Sequence, residues 1–174
     1  AKAALAAAAA PPIRLITISS DGRKIEVGNE TVMFRHEKTF YHEPGLLVRV
    51  KDTQPLEEFE AIVTKAASYS VERVGMELTV SGFTVENASG DPALFAERIG
   101  ALRAVANLPL VLISKNPTAM EAAVAKLKGA IPLLYAADKD NWQAMAEVAK
   151  KHNSPLAVRE GSDPSTSSGQ RLTA

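Results

Sequence analysis

Three short apolar runs open with the same dipeptide, at Pro109-Leu110, Pro132-Leu133 and Pro155-Leu156, and the step between them is 23 positions both times. Leu110–Ile113, Leu133–Ala136 and Leu156–Val158 are apolar throughout, without the polar–apolar alternation of a half-solvated strand. A run of this kind is how a strand reads when both faces are buried, as in a parallel sheet. The segments between the runs carry helical spacing, so the unit is strand, helix, strand, helix, strand, which calls for a parallel α/β sheet or barrel. The intervening helices are too long and amphipathic for a leucine-rich solenoid of similar period.

Other segments extend this pattern in both directions. Ile13–Ile18 is β-branched, Asp21-Gly22 offers a tight turn and Arg23–Val27 alternates, so an N-terminal β-hairpin is expected. Thr31–Phe34 reads as another short strand. Residues 46–50 and 78–85 read as further repeat strands, the second broken at Ser81-Gly82, making five with 110–113, 133–136 and 156–158. Helices follow each of the first four. Asp52 or Thr53 is expected to cap the one that Pro55 opens, with Leu56, Phe59, Val63 and Ala66 inward. Asp91-Pro92 and Asn116-Pro117 repeat the cap-and-proline device, and Asp140 is expected to cap the last helix. The inward stripes are Phe95, Ile99, Leu102 and Ala106; Met120, Val124 and Leu127; and Trp142, Met145, Val148 and Ala149. Tyr135 and Trp142 are expected in the core.

Composition narrows the function classes. Twenty basic residues balance twenty acidic ones, leaving no net field for nucleic acid or an anionic membrane. Cysteine is absent, which removes disulfides, thiolate zinc, thiolate-bound iron–sulfur clusters and a cysteine nucleophile from this chain. No apolar run approaches the ~20 residues needed to span a bilayer, and a cytoplasmic location is expected. Residues 1–12 read as an alanine-rich helix or linker, 13–36 as the hairpin region, 37–160 as the α/β body, and 161–174, which is rich in Ser, Thr and Gly, as a disordered tail.

Residues 34–45 form the most chemically dense stretch. His36 and His42 differ by an even number and would share a face in a continuous strand, where Glu37 and Glu43 make them weak candidates for a His/carboxylate metal site. No compact spacing such as H-E-x-x-H supports this. A self-paired polar cluster fits the residues better. So does a partner or ligand surface made of Arg35, His36, Glu37, Lys38, Tyr41 and His42. At the strand ends, Asn87, Asp91, Lys115 and Asn116 lie where βα loops converge in α/β folds, and are the candidate cofactor- or ligand-binding positions. Capping accounts for Asp91 and ordinary exposure for Lys115 and Lys139. No phosphate-cradling glycine motif and no catalytic constellation is present.

Glu30–Gly45, with Arg73-Val-Gly75, Asn87–Pro92, Leu108–Leu112, Pro132–Ala136, Asn141-Trp142 and Pro155–Arg159, closely resembles the large (gamma) subunit of the corrinoid/iron–sulfur protein family. That family serves the carbon monoxide dehydrogenase/acetyl-CoA synthase system. The resemblance runs from about Pro11 to Arg159. It implies a TIM barrel placed between a domain that holds a [4Fe-4S] cluster through cysteines and a domain that holds a cobamide. The implied role is carrying a methyl group from a methyl-tetrahydropterin to acetyl-CoA synthase. The implied partners are the family's small subunit, a methyl-tetrahydropterin methyltransferase and acetyl-CoA synthase.

A closed (β/α)8 barrel takes about 250 residues and eight strands, so five strands here imply a partial barrel preceded by the hairpin. Cluster and cobamide ligands map onto no residue of this chain. A barrel or scaffold fragment, inactive alone and prone to self-association through the open edges of strands 46–50 and 156–158, is the leading expectation. The alternative is a pterin- or folate-binding barrel of the methyltransferase type, with its ligand at the strand ends.

Overall fold

The computed structural model describes residues 14–28 and 42–159. The strand expected at Thr31–Phe34, the candidates Arg35, His36, Glu37, Lys38 and Tyr41, and the segments 1–12 and 161–174 lie outside the described residues. In chain order the elements are β1 (Ile16–Ser20), β2 (Arg23–Val27), β3 (Leu47–Lys51), α1 (Leu56–Ala67), β4 (Ser70–Arg73), β5 (Met76–Thr79), β6 (Gly82–Glu86), α2 (Pro92–Val105), β7 (Leu110–Ile113), α3 (Pro117–Val124), β8 (Leu133–Ala137), α4 (Trp142–Lys151) and β9 (Leu156–Val158).

Five strands form one parallel sheet in chain order, β3-β6-β7-β8-β9. Each neighbouring pair is linked through a helix, and consecutive helices pack on one another. The fold is thus mixed α/β, with a five-stranded parallel sheet and four helices among the described residues, and β3 and β9 are its outer strands. No described helix is long and apolar enough to cross a membrane.

One face of the sheet is sealed by the helices. Val50, Phe83, Val85, Leu110, Leu112 and Leu134 from the strands meet Phe59, Val63, Phe95, Ile99, Leu102, Met120 and Met145 from the helices, all essentially inaccessible. Burying each such side chain contributes about 1.5–3 kcal/mol, so this layer dominates the stability of the fold. The expected stripes on α2 and α3 form as read, and so do the two cap-and-proline starts. Ala93 N donates to Asp91 Oδ1 (2.8 Å) and Thr118 N to Asn116 Oδ1 (3.0 Å).

The opposite face departs from the doubly buried reading. Its first half is covered by the β1–β2 hairpin, where Ile18 and Ile25, paired across the ribbon, pack on Val111 with Leu47 and Leu133 alongside. The hairpin turns through Asp21 (φ 45°) and Gly22 (φ 81°), two residues in the left-handed region as a two-residue loop of this hand requires. Toward the strand ends this face is bare. Tyr135 sits there in contact with solvent rather than in the core, because its parity in β8 is that of Leu133 and not of buried Leu134. Trp142 is likewise half-exposed, at the first residue of α4 and on the flank of the helix facing away from α3.

Three local expectations are corrected. The run 78–85 is two strands. β5 closes an antiparallel hairpin with β4, and the sheet strand β6 begins only at Gly82, after the Ser81-Gly82 break. Asp52 and Thr53 do not cap α1. Pro55 occupies the N-cap position with no side-chain cap, while Glu57 and Glu58 in the first turn complement the helix dipole. Asp140 does not cap α4 either. Asn141 stands at that position, and Asp138 Oδ1 accepts the Asp140 and Asn141 amides at 3.0 and 3.2 Å.

Candidate functional site at the strand ends

All five sheet strands run the same way, so their C-terminal ends share one edge, and the loops after β3, β6, β7 and β8 gather there. Asp52, the first residue after β3, is fully buried. A carboxylate removed from water needs donors for its oxygens, and the β6–α2 loop supplies four. Oδ1 accepts Ala88 N (2.8 Å) and Ser89 N (3.0 Å), and Oδ2 accepts Ser89 Oγ (2.6 Å) and Asn87 Nδ2 (3.2 Å). Arg98, a nearly buried cation on α2, reaches back to the main-chain oxygens of Asp52 (3.3 Å) and Gln54 (3.4 Å). The two loops are thereby bolted together from side chains more than 30 positions apart. The binding that the sequence credited to a helix cap is spent between loops.

The sequence-selected residues take these places. Asn87 Nδ2 is shared between Asp52 and the Asp91 carbonyl (3.2 Å each), and Asp91 caps α2. Asn116 caps α3, and the Lys115 carbonyl accepts Asn141 Nδ2 at 2.8 Å while the Lys115 side chain is exposed. Asn87 and Asp91 are therefore brought together. Lys115 and Asn116 belong to a second cluster, with Asn141 and Asp138, after β7 and β8. His42 lies by the N-terminal hairpin, with Nδ1 3.4 Å from Glu26 Oε2. Glu26 also accepts Lys24 Nζ at 2.9 Å, and that hydrogen bond, ahead of the charges of Lys24 and His42, holds its carboxyl below the usual range. Among the described residues no three His, Cys, Asp or Glu side chains are grouped to hold a metal.

The bare half of the sheet face holds residues not selected from the sequence. Arg49 donates through Nη2 (2.6 Å) and Nε (3.0 Å) to Glu86 Oε2, and Lys51 stands next along β3, in a shallow hollow that Gln54 completes. With Thr84, Ile113 and Tyr135 they make a mixed polar and apolar wall carrying two cations to one carboxylate. The signal was available. In Leu47-Val-Arg-Val-Lys51 the charges fall on alternate positions, which marks a strand with one wet face.

Comparison with known proteins places this framework. Residues 15–168 match the family model described as CO dehydrogenase/acetyl-CoA synthase delta subunit. The chain is 38% identical over 158 residues to the corrinoid/iron-sulfur protein large subunit of Moorella thermoacetica, a match that covers 91% of this chain and 35% of that protein. It is 35% identical over 154 residues to subunit gamma 2 of the acetyl-CoA decarbonylase/synthase complex of Methanosarcina mazei, covering 88% of this chain and 33% of the relative. With the gamma subunit of Methanothermobacter thermautotrophicus the identity is 35% over 149 residues, covering 86% and 32%. The chain spans about a third of the length of the curated relatives it matches. A parallel α/β framework of strand–helix units, matched over most of its length, belongs to the CO dehydrogenase/acetyl-CoA synthase delta subunit family.

Proposed function

We propose that this chain is a scaffold segment of a corrinoid/iron–sulfur methyl-carrier protein, contributing four strand–helix units and a fifth strand to a (β/α)8 barrel and no methyl-transfer chemistry of its own. The observation that carries this reading is the internal use of the strand-end polar groups. Asp52, Asn87, Asp91 and Asn116 spend their hydrogen bonds on one another and on helix starts. The same sheet bares Arg49, Lys51 and Tyr135 on the face that a closed barrel would turn inward.

The cofactors of such a carrier do not fit the residues present. The chain has no cysteine for a thiolate-bound [4Fe-4S] cluster, and the described residues offer no ligand group for a metal. The cluster and the cobamide would be held by parts of the carrier outside the third that this chain spans. On this reading, the partners are the small subunit, the methyl-tetrahydropterin methyltransferase and acetyl-CoA synthase, reached through the assembled carrier.

Calorimetric titration of this chain with a methyl-tetrahydropterin tests the reading. A scaffold segment gives no saturable heat, and Asn87→Ala changes nothing. Saturable binding that Asn87→Ala weakens would overturn it in favour of a ligand-binding barrel.

A further inference from the structure

The turns from helix back to strand are short in most of this fold: residues 106–109 join α2 to β7, 125–132 join α3 to β8, and 152–155 join α4 to β9. The turn from α1 to β6 is different. It takes residues 68–81 and contains the whole β4–β5 ribbon, closed at Val74-Gly75. A connection needs only a few residues to return to the sheet, so the ribbon is an insertion that the fold does not require.

The ribbon also buries little, with only Val71 half-buried. Glu72, Arg73, Met76, Glu77 and Leu78 are all exposed, and no described element covers either of its faces. Strand alternation sorts its side chains. Ser70, Glu72, Glu77 and Thr79 share one face, and Val71, Arg73, Met76 and Leu78 the other. The second face, extended by Tyr69 at the foot (52% exposed) and Val74 at the tip (97%), is a largely apolar strip with Met76 (62%) at its centre and one cation, Arg73, directly opposite Met76. On the first face Glu72 stands directly opposite Glu77, and among the described residues neither is paired with a cation. Like charges directly opposed weaken a ribbon. Val74 adds a β-branched residue at φ 53°, a conformation that costs a side chain of this shape about 1–3 kcal/mol. An isolated two-stranded ribbon is already marginal in water. An arm with little packing, opposed carboxylates and an apolar tip is arranged for a surface that lies outside the described residues.

We propose that the β4–β5 ribbon is a docking arm for another subunit of the complex, one that presents an apolar slot flanked by lysine or arginine. The apolar strip and tip fill the slot, and the basic flank neutralises Glu72 and Glu77. A second copy of this chain is a poor occupant, because its ribbon brings the same acidic pair. The arm leaves from the helix-to-strand end of the sheet, opposite the strand-end loops, so a subunit held there leaves the strand ends open. The inference rests on the reading of the chain as part of a multi-subunit carrier.

The test co-expresses this chain with the other subunits of the acetyl-CoA decarbonylase/synthase complex. A photo-crosslinking p-benzoylphenylalanine replaces Val74, and assembly affinity is measured for Met76→Asp and for Glu72→Lys/Glu77→Lys. Crosslinking to a different subunit is expected, with roughly tenfold weaker assembly for either variant, as for a central interface contact. All four positions are exposed, so the melting temperature should not move. Wild-type assembly that both variants reproduce, or crosslinks confined to this chain or its copies, would overturn the arm while leaving the carrier reading intact. Failure of the wild-type chain to assemble would overturn both.

Discussion

The two hairpins among the described residues have nearly the same strand length and opposite fates. β1–β2 lies on the sheet. Ile18 and Ile25 pack on Val111, Ser19 forms a two-bond bridge with Ile131 (3.0 and 2.8 Å), and Arg103 on α2 holds Ser20 and Asp21. β4–β5 projects from the sheet with its Met, Leu and Tyr in solvent. Local sequence does not separate them, since both alternate and both turn through residues in the left-handed region at Asp21-Gly22 and Val74-Gly75. What separates them is a receiving surface. The sheet offers Leu47, Val111 and Leu133 to the first hairpin and nothing to the second. Burial of a ribbon is decided by its neighbours as much as by its own pattern.

The largest test of this contrast falls where the projecting ribbon rejoins the sheet. A Cβ at Gly82 would lie 2.3 Å from the Pro109 carbonyl oxygen and 2.8 Å from Leu47 Cδ2. Pro109 O also accepts Phe83 N at 3.0 Å, so neither backbone can retreat without losing that bond. Gly82→Ala should therefore destabilise the chain by about 3 kcal/mol in urea unfolding, the upper range for overpacking. A loss under about 1 kcal/mol would show that β6 and the β7 entry are not locked together there.

Next in size is the contrast between the hairpins themselves. Ile18→Ala or Ile25→Ala should each cost about 2 kcal/mol, the low end for a buried aliphatic truncation over a partly open face. Leu78→Ala on the projecting ribbon should stay within about 0.5 kcal/mol. Equal costs at the two sites, read from chemical denaturation, would break the comparison.

The smallest effect concerns an ion pair on neither hairpin. Glu121 on α3 accepts Lys151 Nζ from α4, and that hydrogen bond, before the contribution of His152, holds its carboxyl below the usual range. His152 Nε2 lies 3.4 Å away at ion-pair distance but without hydrogen-bond geometry, and among the described residues it has no hydrogen-bond partner. A carboxyl lowered on folding contributes stability above its unfolded value near ~4.3, and that contribution is lost as pH falls through the lower folded value. The pair is partly solvated, so about 0.5 kcal/mol is at stake. Glu121→Gln should therefore flatten the stability profile slightly below pH 5 and leave the hairpins' relative exchange protection unchanged.

Much of this protein follows from the sequence alone. The 23-residue step, the doubly apolar runs and the Asp91-Pro92 and Asn116-Pro117 starts led to the strand–helix order and to the buried stripes of α2 and α3. These features are local. A strand's parity and a helix's period record which side of an element meets apolar neighbours, whatever those neighbours are. The motif from Glu30 to Gly45 and its companions led to the family in the same way, because residue order is all that such a likeness needs.

Tertiary structure decided the rest. Asp52 looks like a helix cap in the sequence and becomes the buried tie for Asn87, Ala88 and Ser89, through donors more than 30 positions away that no local pattern encodes. Tyr135 and Trp142 look like core aromatics and are left half-exposed, because periodicity says which face a side chain takes and not whether anything covers that face. The run 78–85 looks like one strand and is two, since pairing partners set strand limits and Met76–Thr79 finds its partner in Ser70–Arg73 rather than in the sheet. Local free energies shape the elements, and contacts between distant residues determine which elements are buried and which remain free to meet another molecule.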